Sequence, residues 1–160
     1  TFYYRFYLTR ALKKTGLADR YSSMLQPWYD MIDMGLSTFA ENPEPTRSDC
    51  HAWSSSPNYD AHATFLGVEP DAPGFASVRI EPHPGHLNRI SGVVPHPQGD
   101  IRVELRRTQP GNRNSGGRNS TVSGHGGLRG EVTLPGTLTG RFVWNGREIA
   151  LSPGLNNINI

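Results

Sequence analysis

The chain has little cysteine, no long apolar run and almost no net charge, and each shortage excludes a class of protein. A single cysteine, Cys50, cannot form an intrachain disulfide or a cysteine-rich zinc site. No stretch approaches the roughly 20 apolar residues that cross a bilayer, so no membrane span is predicted. The formal net charge is +2, with the basic residues largely scattered, which argues against a nucleic-acid partner.

Glycine and proline are plentiful, with 18 and 13 residues among 160, and they indicate many turns. The length suffices for one ordinary domain or two small units with a core. The first residues, "TFYYRFYLTRALKK", show neither an initial methionine nor a signal-peptide pattern. We expect the chain to be the carboxyl-terminal piece of a longer protein, and the compartment in which it works stays open.

Helical spacing of apolar residues predicts two helices near the start of the chain. The first covers residues 2–15 and ends at Gly16. The second begins at Asp19 as its N-cap and ends at Gly35, and Pro27 is expected to kink or split it. These helices carry more apolar surface than two short helices can cover, so we infer further partner helices.

A third helix is predicted from the serine run at residues 54–56 to Gly67, with Pro57 in its first turn. Asp49 and the serines are expected to cap it, because their side-chain oxygens can accept the free N–H groups of the first turn. Cys50 is interpreted as a small buried residue rather than a nucleophile, since a neighbouring histidine in sequence seldom faces the thiol.

From residue 76 onward, β-branched residues alternate or cluster between turns, which predicts successive antiparallel strands in a β-sandwich. The predicted strand segments are "ASVRIEP", "RISGVVPHP", "GDIRVELRR", "GEVTLPG", "GRFVWNG" and "EIALSPG". Phe142 and Trp144 share one face of their strand and are predicted to lie in the core. Residues 108–127 have almost no apolar content and are interpreted as a mobile hairpin loop containing a possible glycosylation acceptor at Asn119.

Three polar or aromatic residues are candidates for a binding or catalytic site. Glu41 follows a helix stop and precedes two prolines, where a loop can project a carboxylate into a cleft. The alternative is an ordinary solvated glutamate. His51 and Trp53 offer an imidazole donor and a flat indole, which together suit a sugar ring. The alternative is that Trp53 packs on the helix it precedes.

A three-histidine metal site formed by His83, His86 and His96 is conceivable. Their spacing in "EPHPGHLNRISGVVPHP" lacks an identifiable carboxylate to orient the imidazoles. We interpret the stretch as a proline-stiffened loop and predict no metal and no cofactor.

Several long segments resemble the end of bacterial α-L-rhamnosidases, which are six-hairpin α/α-barrel glycoside hydrolases. The specific motifs are "MGLSTFAE", "RSDCHAWS" and "GVEPDAPGFASVRIEP", and together the similar segments cover nearly the whole chain. The resemblance implies an α+β fold, with the last hairpins of a barrel over residues 1–75 and a β-sandwich domain over residues 76–160.

In that family an inverting mechanism uses two carboxylic acids, and the resemblance implies that Glu41 is the general base. It also implies that His51 donates to substrate hydroxyls, with Trp53 beside it as packing or platform. The family's general acid belongs to an earlier motif that residues 1–160 lack, so this stretch alone is not expected to hydrolyse a glycoside. The implied partners are a rhamnose-containing carbohydrate and the remainder of the barrel.

Two departures from the family pattern are visible in the sequence. The polar loop at residues 108–127 is longer than the usual link, and the tryptophan often found before the glutamate is missing, so Phe39 or Ala40 could change the fit of the sugar. Two other functions stay open: a carbohydrate-binding β-domain with a helical linker, and a six-hairpin hydrolase for another sugar.

Overall fold

The computed structural model describes residues 1–108 and 126–160. The predicted mobile loop, for all but its outermost residues, and the Asn119 acceptor pattern lie outside the described residues. The described part contains short helices followed by two four-stranded sheets. The predicted α+β fold class is therefore confirmed.

The chain forms two compact units. The helical unit comprises Thr1–Val68 together with Glu81–Leu87, and the sheet unit comprises Glu69–Ile80 together with Asn88–Ile160. The predicted assignment of these parts to a barrel and a terminal domain, with a boundary after residue 75, stays a prediction.

The helical unit is built from short pieces of three helix types. They are helix α1 at Tyr3–Lys14, a 3-10 helix at Ala18–Met24, helix α2 at Gln26–Asp33, a 3-10 helix at Ala52–Ser55, helix α3 at Ser56–Asp60 and a π-helical turn at Ala61–Phe65. The predicted stops are confirmed, since Gly16 and Gly35 have φ values of +72° and +77°. Pro27 splits the second predicted helix as expected, because it occupies the first turn of α2.

The prediction that Asp19 is an N-cap was wrong. Asp19 lies inside the first turn of the 3-10 helix, and its carboxylate accepts the N–H of Gly85 at 2.8 Å. A side chain at Gly85 would lie 2.2 Å from the Ser22 hydroxyl, and its φ is +58°, so glycine is required there. The Asp19 side chain therefore fastens segment Glu81–Leu87 to the helical unit instead of capping a helix.

The predicted capping by Asp49 and the serines 54–56 was also wrong, since no side chain caps the 3-10 helix or α3. The main chain supplies the acceptor instead, because Ser54 N–H bonds to the carbonyl of His51 at 3.1 Å. The hydroxyl of Ser55 donates to the Ala52 carbonyl at 2.6 Å. Cys50 was predicted to be buried, but it is exposed because it lies in an irregular loop before the helix.

The sheet unit contains two sheets whose strand orders are β1-β2-β6-β7 and β3-β4-β5-β8. The strands are β1 Val68–Pro70, β2 Ser77–Ile80, β3 Arg89–His96, β4 Gly99–Arg107, β5 Leu128–Leu134, β6 Thr139–Trp144, β7 Arg147–Leu151 and β8 Gly154–Asn159, and a short 3-10 turn lies at Pro73–Phe75. One predicted pairing was wrong, because β2 and β6 run parallel. A parallel pair needs a long crossover, and strands β3 to β5 provide it.

Alternate side chains of the strands form the core of the sheet unit. In β4, Ile101, Val103 and Leu105 are buried and their neighbours in sequence are exposed, as expected for a sheet with one covered face. Phe142 and Trp144 are buried in β6, which confirms the prediction that they belong to the core.

A small cluster forms the core of the helical unit around the start of α1. It consists of Phe2, Trp28, Met31 and Ala40, and Leu25, Leu36 and Phe39 pack against it. Many large apolar side chains stay exposed; they include Tyr4, Tyr7, Leu8, Tyr29, Ile32, Met34 and Tyr59. Among the described residues, no helix has the length and apolar character needed to cross a membrane.

Candidate active site

The loop of residues 38–51, here called the site loop, brings the candidate polar residues together. It folds back on itself like a hairpin, since Glu41 N–H bonds to the Ser48 carbonyl at 2.9 Å and His51 N–H bonds to the Phe39 carbonyl at 2.8 Å. The turn between the two arms contains Pro43 and Pro45. This pairing places the side chains of positions 41 and 51 in one cluster although ten positions separate them in sequence.

Glu41 is buried, and an arginine of the same loop covers it. The Glu41 side chain is 5% exposed, whereas that of Arg47 is 76% exposed. Arg47 Nε donates to Oε2 at 2.5 Å and Nη2 donates to Oε1 at 2.7 Å, which is a bidentate pair. The Arg47 guanidinium lowers the pKa of Glu41, with burial acting in the opposite direction. The carboxylate is therefore held ionised.

His51 lies beside this carboxylate. Its Nε2 is 3.8 Å from Glu41 Oε1, which is longer than a hydrogen bond, and its Nδ1 is 2.8 Å from the Ser48 hydroxyl. The Ser48 oxygen also accepts the N–H of Cys50 at 3.2 Å. When the Ser48 hydroxyl donates its proton to Nδ1, the hydrogen of the neutral ring lies on Nε2, and the face toward Glu41 is then a donor.

Trp53 continues the cluster at the surface. Its ring is 46% exposed, and its centroid lies 4.9 Å from the His51 ring and 5.5 Å from the Tyr3 ring. Trp28 contrasts with it, because that indole is buried and donates to the Ser54 carbonyl at 2.7 Å. Trp53 thus has an open aromatic surface next to an imidazole, and it also packs on α1 through Tyr3.

The structure brings Glu41, His51 and Trp53 into one place, and it adds two residues that the sequence reading missed. Arg47 and Ser48 hold the carboxylate and the imidazole respectively. A signal was available: the two prolines between positions 41 and 47 favour a turn that returns the chain, and a basic residue directly after such a turn can face an acidic residue before it.

The three histidines considered for a metal each have other contacts. The imidazole of His86 lies 3.1 Å from the Ser22 hydroxyl, and that of His96 lies 2.9 Å from the Phe75 carbonyl. The backbone N–H of His83 bonds to the Thr64 carbonyl at 3.0 Å, a contact that does not involve its imidazole. Within residues 1–108 and 126–160, no group of three metal-ligating side chains is found.

A comparison with protein families identifies residues 67–114 as matching the bacterial alpha-L-rhamnosidase C-terminal domain. The predicted resemblance to bacterial α-L-rhamnosidases is confirmed. The rhamnosidase match begins just before β1 and runs beyond β4, so it leaves out the site loop. No curated protein matches the chain in a sequence comparison.

Solved rhamnosidase structures are similar to the chain over a longer stretch. The α-L-rhamnosidase of Aspergillus terreus has a TM-score of 0.75 and 21% identity, with 96% of this chain and 18% of that chain covered. The GH78 family rhamnosidase of Bacillus sp. GL1 has a TM-score of 0.57 and 32% identity, with 67% and 13% covered. The Streptomyces avermitilis α-L-rhamnosidase, crystallised with L-rhamnose, has a TM-score of 0.72 and 17% identity, with 96% and 17% covered.

The chain thus spans less than a fifth of each of these rhamnosidases. The similarities place it in a glycoside hydrolase family context, and the two long matches show the shared fold. The roles of Glu41, His51 and Trp53 stay predictions, supported by the motif resemblance and by the geometry of the site loop.

Proposed function

We propose that the chain is the carboxyl-terminal part of an inverting α-L-rhamnosidase and that Glu41 is its general base. The observation that carries the proposal is the buried carboxylate of Glu41, paired with Arg47, beside the His51 imidazole and the exposed Trp53. These are the groups needed to deprotonate a water and to hold a sugar, and they lie on the site loop and the 3-10 helix that follows it.

In the proposed reaction, Glu41 takes a proton from a water molecule as the water oxygen attacks the anomeric carbon of the rhamnose. The bond from that carbon to the glycosidic oxygen breaks, and a second carboxylic acid gives its proton to the leaving oxygen. The two carboxyl groups of an inverting enzyme lie roughly 6.5–9.5 Å apart, which leaves room for the water. We expect the acid to come from a part of the enzyme outside residues 1–160.

His51 and Trp53 are proposed to bind the sugar. The Nε2–H of His51, set by the contact of Nδ1 with Ser48, can donate to a ring hydroxyl close to Glu41. Trp53 is 46% exposed and offers an apolar surface for the C–H face of the sugar. The sugar would then lie between the imidazole of His51 and the indole of Trp53, with the carboxylate of Glu41 at the edge of the sugar.

The exposed apolar side chains of α1 and α2 support the remainder of an α/α barrel as a partner. Tyr4 and Ile32 are each 68% exposed, and Tyr29 is 55% exposed. Where such side chains form a continuous patch, it mostly marks a contact with another part of a protein. The neighbouring barrel helices of the longer chain are the proposed contact.

The test is a Glu41→Gln substitution in the full-length enzyme, with hydrolysis of an aryl α-L-rhamnoside as the assay. We expect kcat to fall by about 10²–10⁴-fold, because an amide cannot accept the proton of the water. Glu44→Gln is the matched control, since Glu44 is an exposed glutamate of the same loop whose carboxylate contacts only the Thr46 N–H among the described residues. Near-normal turnover of Glu41→Gln would reject the proposal.

The alternative of an independent sugar-binding β-domain finds less support. In the described part of the sheet unit, Phe142 and Trp144 are buried and Phe75 is half-buried, so no open aromatic platform is present there. A hydrolase for a different sugar would use the same base. Assaying the full-length enzyme on aryl glycosides of several deoxy and hydroxy sugars separates that alternative from rhamnose specificity.

A further inference from the structure

We propose that Arg47 is a positioning residue that orients the carboxylate of Glu41 for catalysis. The inference rests on the proposed function, because it takes Glu41 to be the general base. It assigns a role to a side chain that neither the motifs nor the family comparison singled out.

Arg47 and Glu41 form a bidentate ion pair that orients the carboxylate. Two parallel N–H···O bonds, at 2.5 Å and 2.7 Å, fix the plane of the carboxylate as well as its distance from the guanidinium. The backbone strengthens this geometry, because Glu41 N–H bonds to the carbonyl of Ser48, the residue after Arg47. Both partners therefore sit on paired arms of one loop.

The bidentate pair leaves lone pairs of the carboxylate unused. A carboxylate has about four lone-pair sites, and Arg47 uses one on each oxygen. Oε1 also faces His51 Nε2 across 3.8 Å, a distance too long for a direct hydrogen bond. A lone pair of Oε1 therefore stays available to accept a proton.

Two side chains act on the Glu41 carboxylate: the Arg47 guanidinium and the His51 imidazole. Arg47 has the largest effect and lowers the pKa of Glu41. The His51 imidazole, whose Nε2 lies 3.8 Å from Oε1, has a smaller effect than the directly bonded Arg47 guanidinium.

A structural role of Arg47 can be separated from a role in catalysis. The Arg47 side chain is 76% exposed, and its hydrogen bonds among the described residues go only to Glu41. Because the Glu41 side chain is 5% exposed, removing Arg47 leaves a buried carboxylate without its partner and is expected to lower folding stability. The pH dependence of kcat/KM reports the role in catalysis, and thermal unfolding of the same variants reports the effect on the fold.

The experiment measures the pH profile of kcat/KM for the full-length enzyme with an aryl α-L-rhamnoside, using Arg47→Ala and Arg47→Lys. A base is active only when ionised, so losing the guanidinium should move the acidic limb of the profile to higher pH. We expect kcat/KM at the acidic end to fall by about tenfold or more, in the range known for partners that orient a reactive group. Arg47→Lys keeps the charge without the fork and should show a smaller shift.

Arg89→Ala is the matched control, because Arg89 forms an exposed ion pair with Glu104 at 2.8 Å in the sheet unit, and its removal should leave the profile unchanged. An unchanged acidic limb in both Arg47 variants would overturn the inference, and so would a rise in kcat, which would mean that Arg47 obstructs Glu41. Glu41→Gln is measured in parallel. If that variant is inactive while the Arg47 profile does not move, only the inference fails; if it is active, the proposed function itself fails.

Discussion

At the scale of single residues, the candidate site depends on side-chain hydrogen bonds whose partners cannot be identified from the residue types alone. Arg47 bonds Glu41, and Ser48 bonds both the N–H of Cys50 and the ring of His51. The sequence motifs suggested Glu41 and His51 because of their chemistry and their resemblance to a family. The partners were missed because side-chain pairing across a loop depends on the register of its two arms, which the motif does not state.

Ser48 provides a prediction at this scale. Removing its hydroxyl in Ser48→Ala frees His51 Nδ1, so the imidazole loses its fixed orientation and tautomer. We expect kcat/KM of the full-length enzyme on an aryl rhamnoside to fall by about tenfold, because a misplaced binding group can cost up to about 10²-fold. Ser48→Thr keeps the hydroxyl and should restore most of the rate.

Ser55→Ala is the control for that substitution, since the Ser55 hydroxyl bonds only the nearby Ala52 carbonyl among the described residues. ¹⁵N NMR of the histidine ring nitrogens reports the tautomer directly. If Ser48→Ala retained both the wild-type rate and the wild-type His51 tautomer, Ser48 would not be the residue that fixes the tautomer of the His51 imidazole.

At the scale of helices and strands, the helix ends at glycine could be predicted from the sequence. Which segments contact or pair with each other could not. Gly16 and Gly35 end their helices because a positive φ is a local property. Asp19 has the right residue type for a cap, yet its carboxylate bonds Gly85, which lies 66 positions later. The parallel pairing of β2 and β6 escaped prediction for the same reason, since alternation identifies a strand but not its neighbour.

A buried ion pair joins α1 to α3. Arg10 of α1 bonds Asp60, whose side chain is fully buried, and the Thr64 hydroxyl donates to the same carboxylate at 3.3 Å. The Arg10 guanidinium also lies 4.7 Å from the centroid of the Phe6 ring. Burial raises the pKa of Asp60, and the pairing with Arg10 opposes that shift. Burying the Asp60 carboxylate therefore has a desolvation cost, which its pairing with Arg10 partly offsets.

We therefore expect Asp60→Ala to destabilise the helical unit by about 3–5 kcal/mol, because it leaves the Arg10 charge largely buried and unpaired. The double substitution Asp60→Leu with Arg10→Met should be much milder, since it removes both charges. Urea unfolding followed by circular dichroism measures the difference. Glu104→Ala is the control, because it breaks an exposed ion pair and should change the free energy of unfolding by only about 0–1 kcal/mol. If Asp60→Ala lowered the free energy of unfolding by no more than Glu104→Ala does, the buried pair would not have the expected effect.

At the scale of the whole molecule, the two units differ in how completely their apolar side chains are covered. The sheet unit buries the inward face of its strands, as with Leu105 and Val132, both of which are fully buried. The helical unit leaves the outer surface of α2 open, with Ile32 68% and Met34 52% exposed. Periodicity predicted an apolar excess in these helices, and the structure assigns it to these exposed side chains.

The proposed barrel partner predicts that the chain, produced on its own, binds the hydrophobic dye ANS and self-associates, and that it does not hydrolyse an aryl rhamnoside. Tyr29→Lys with Ile32→Lys places charges on the open surface of α2 and should lower both dye binding and association, measured by fluorescence and sedimentation. Val93→Lys is the control, because Val93 is 41% exposed in the sheet unit and stands outside that surface. If the chain were monomeric and bound no dye, its exposed helix surface would need no partner. The proposal that barrel helices cover this surface would then lose its main supporting observation.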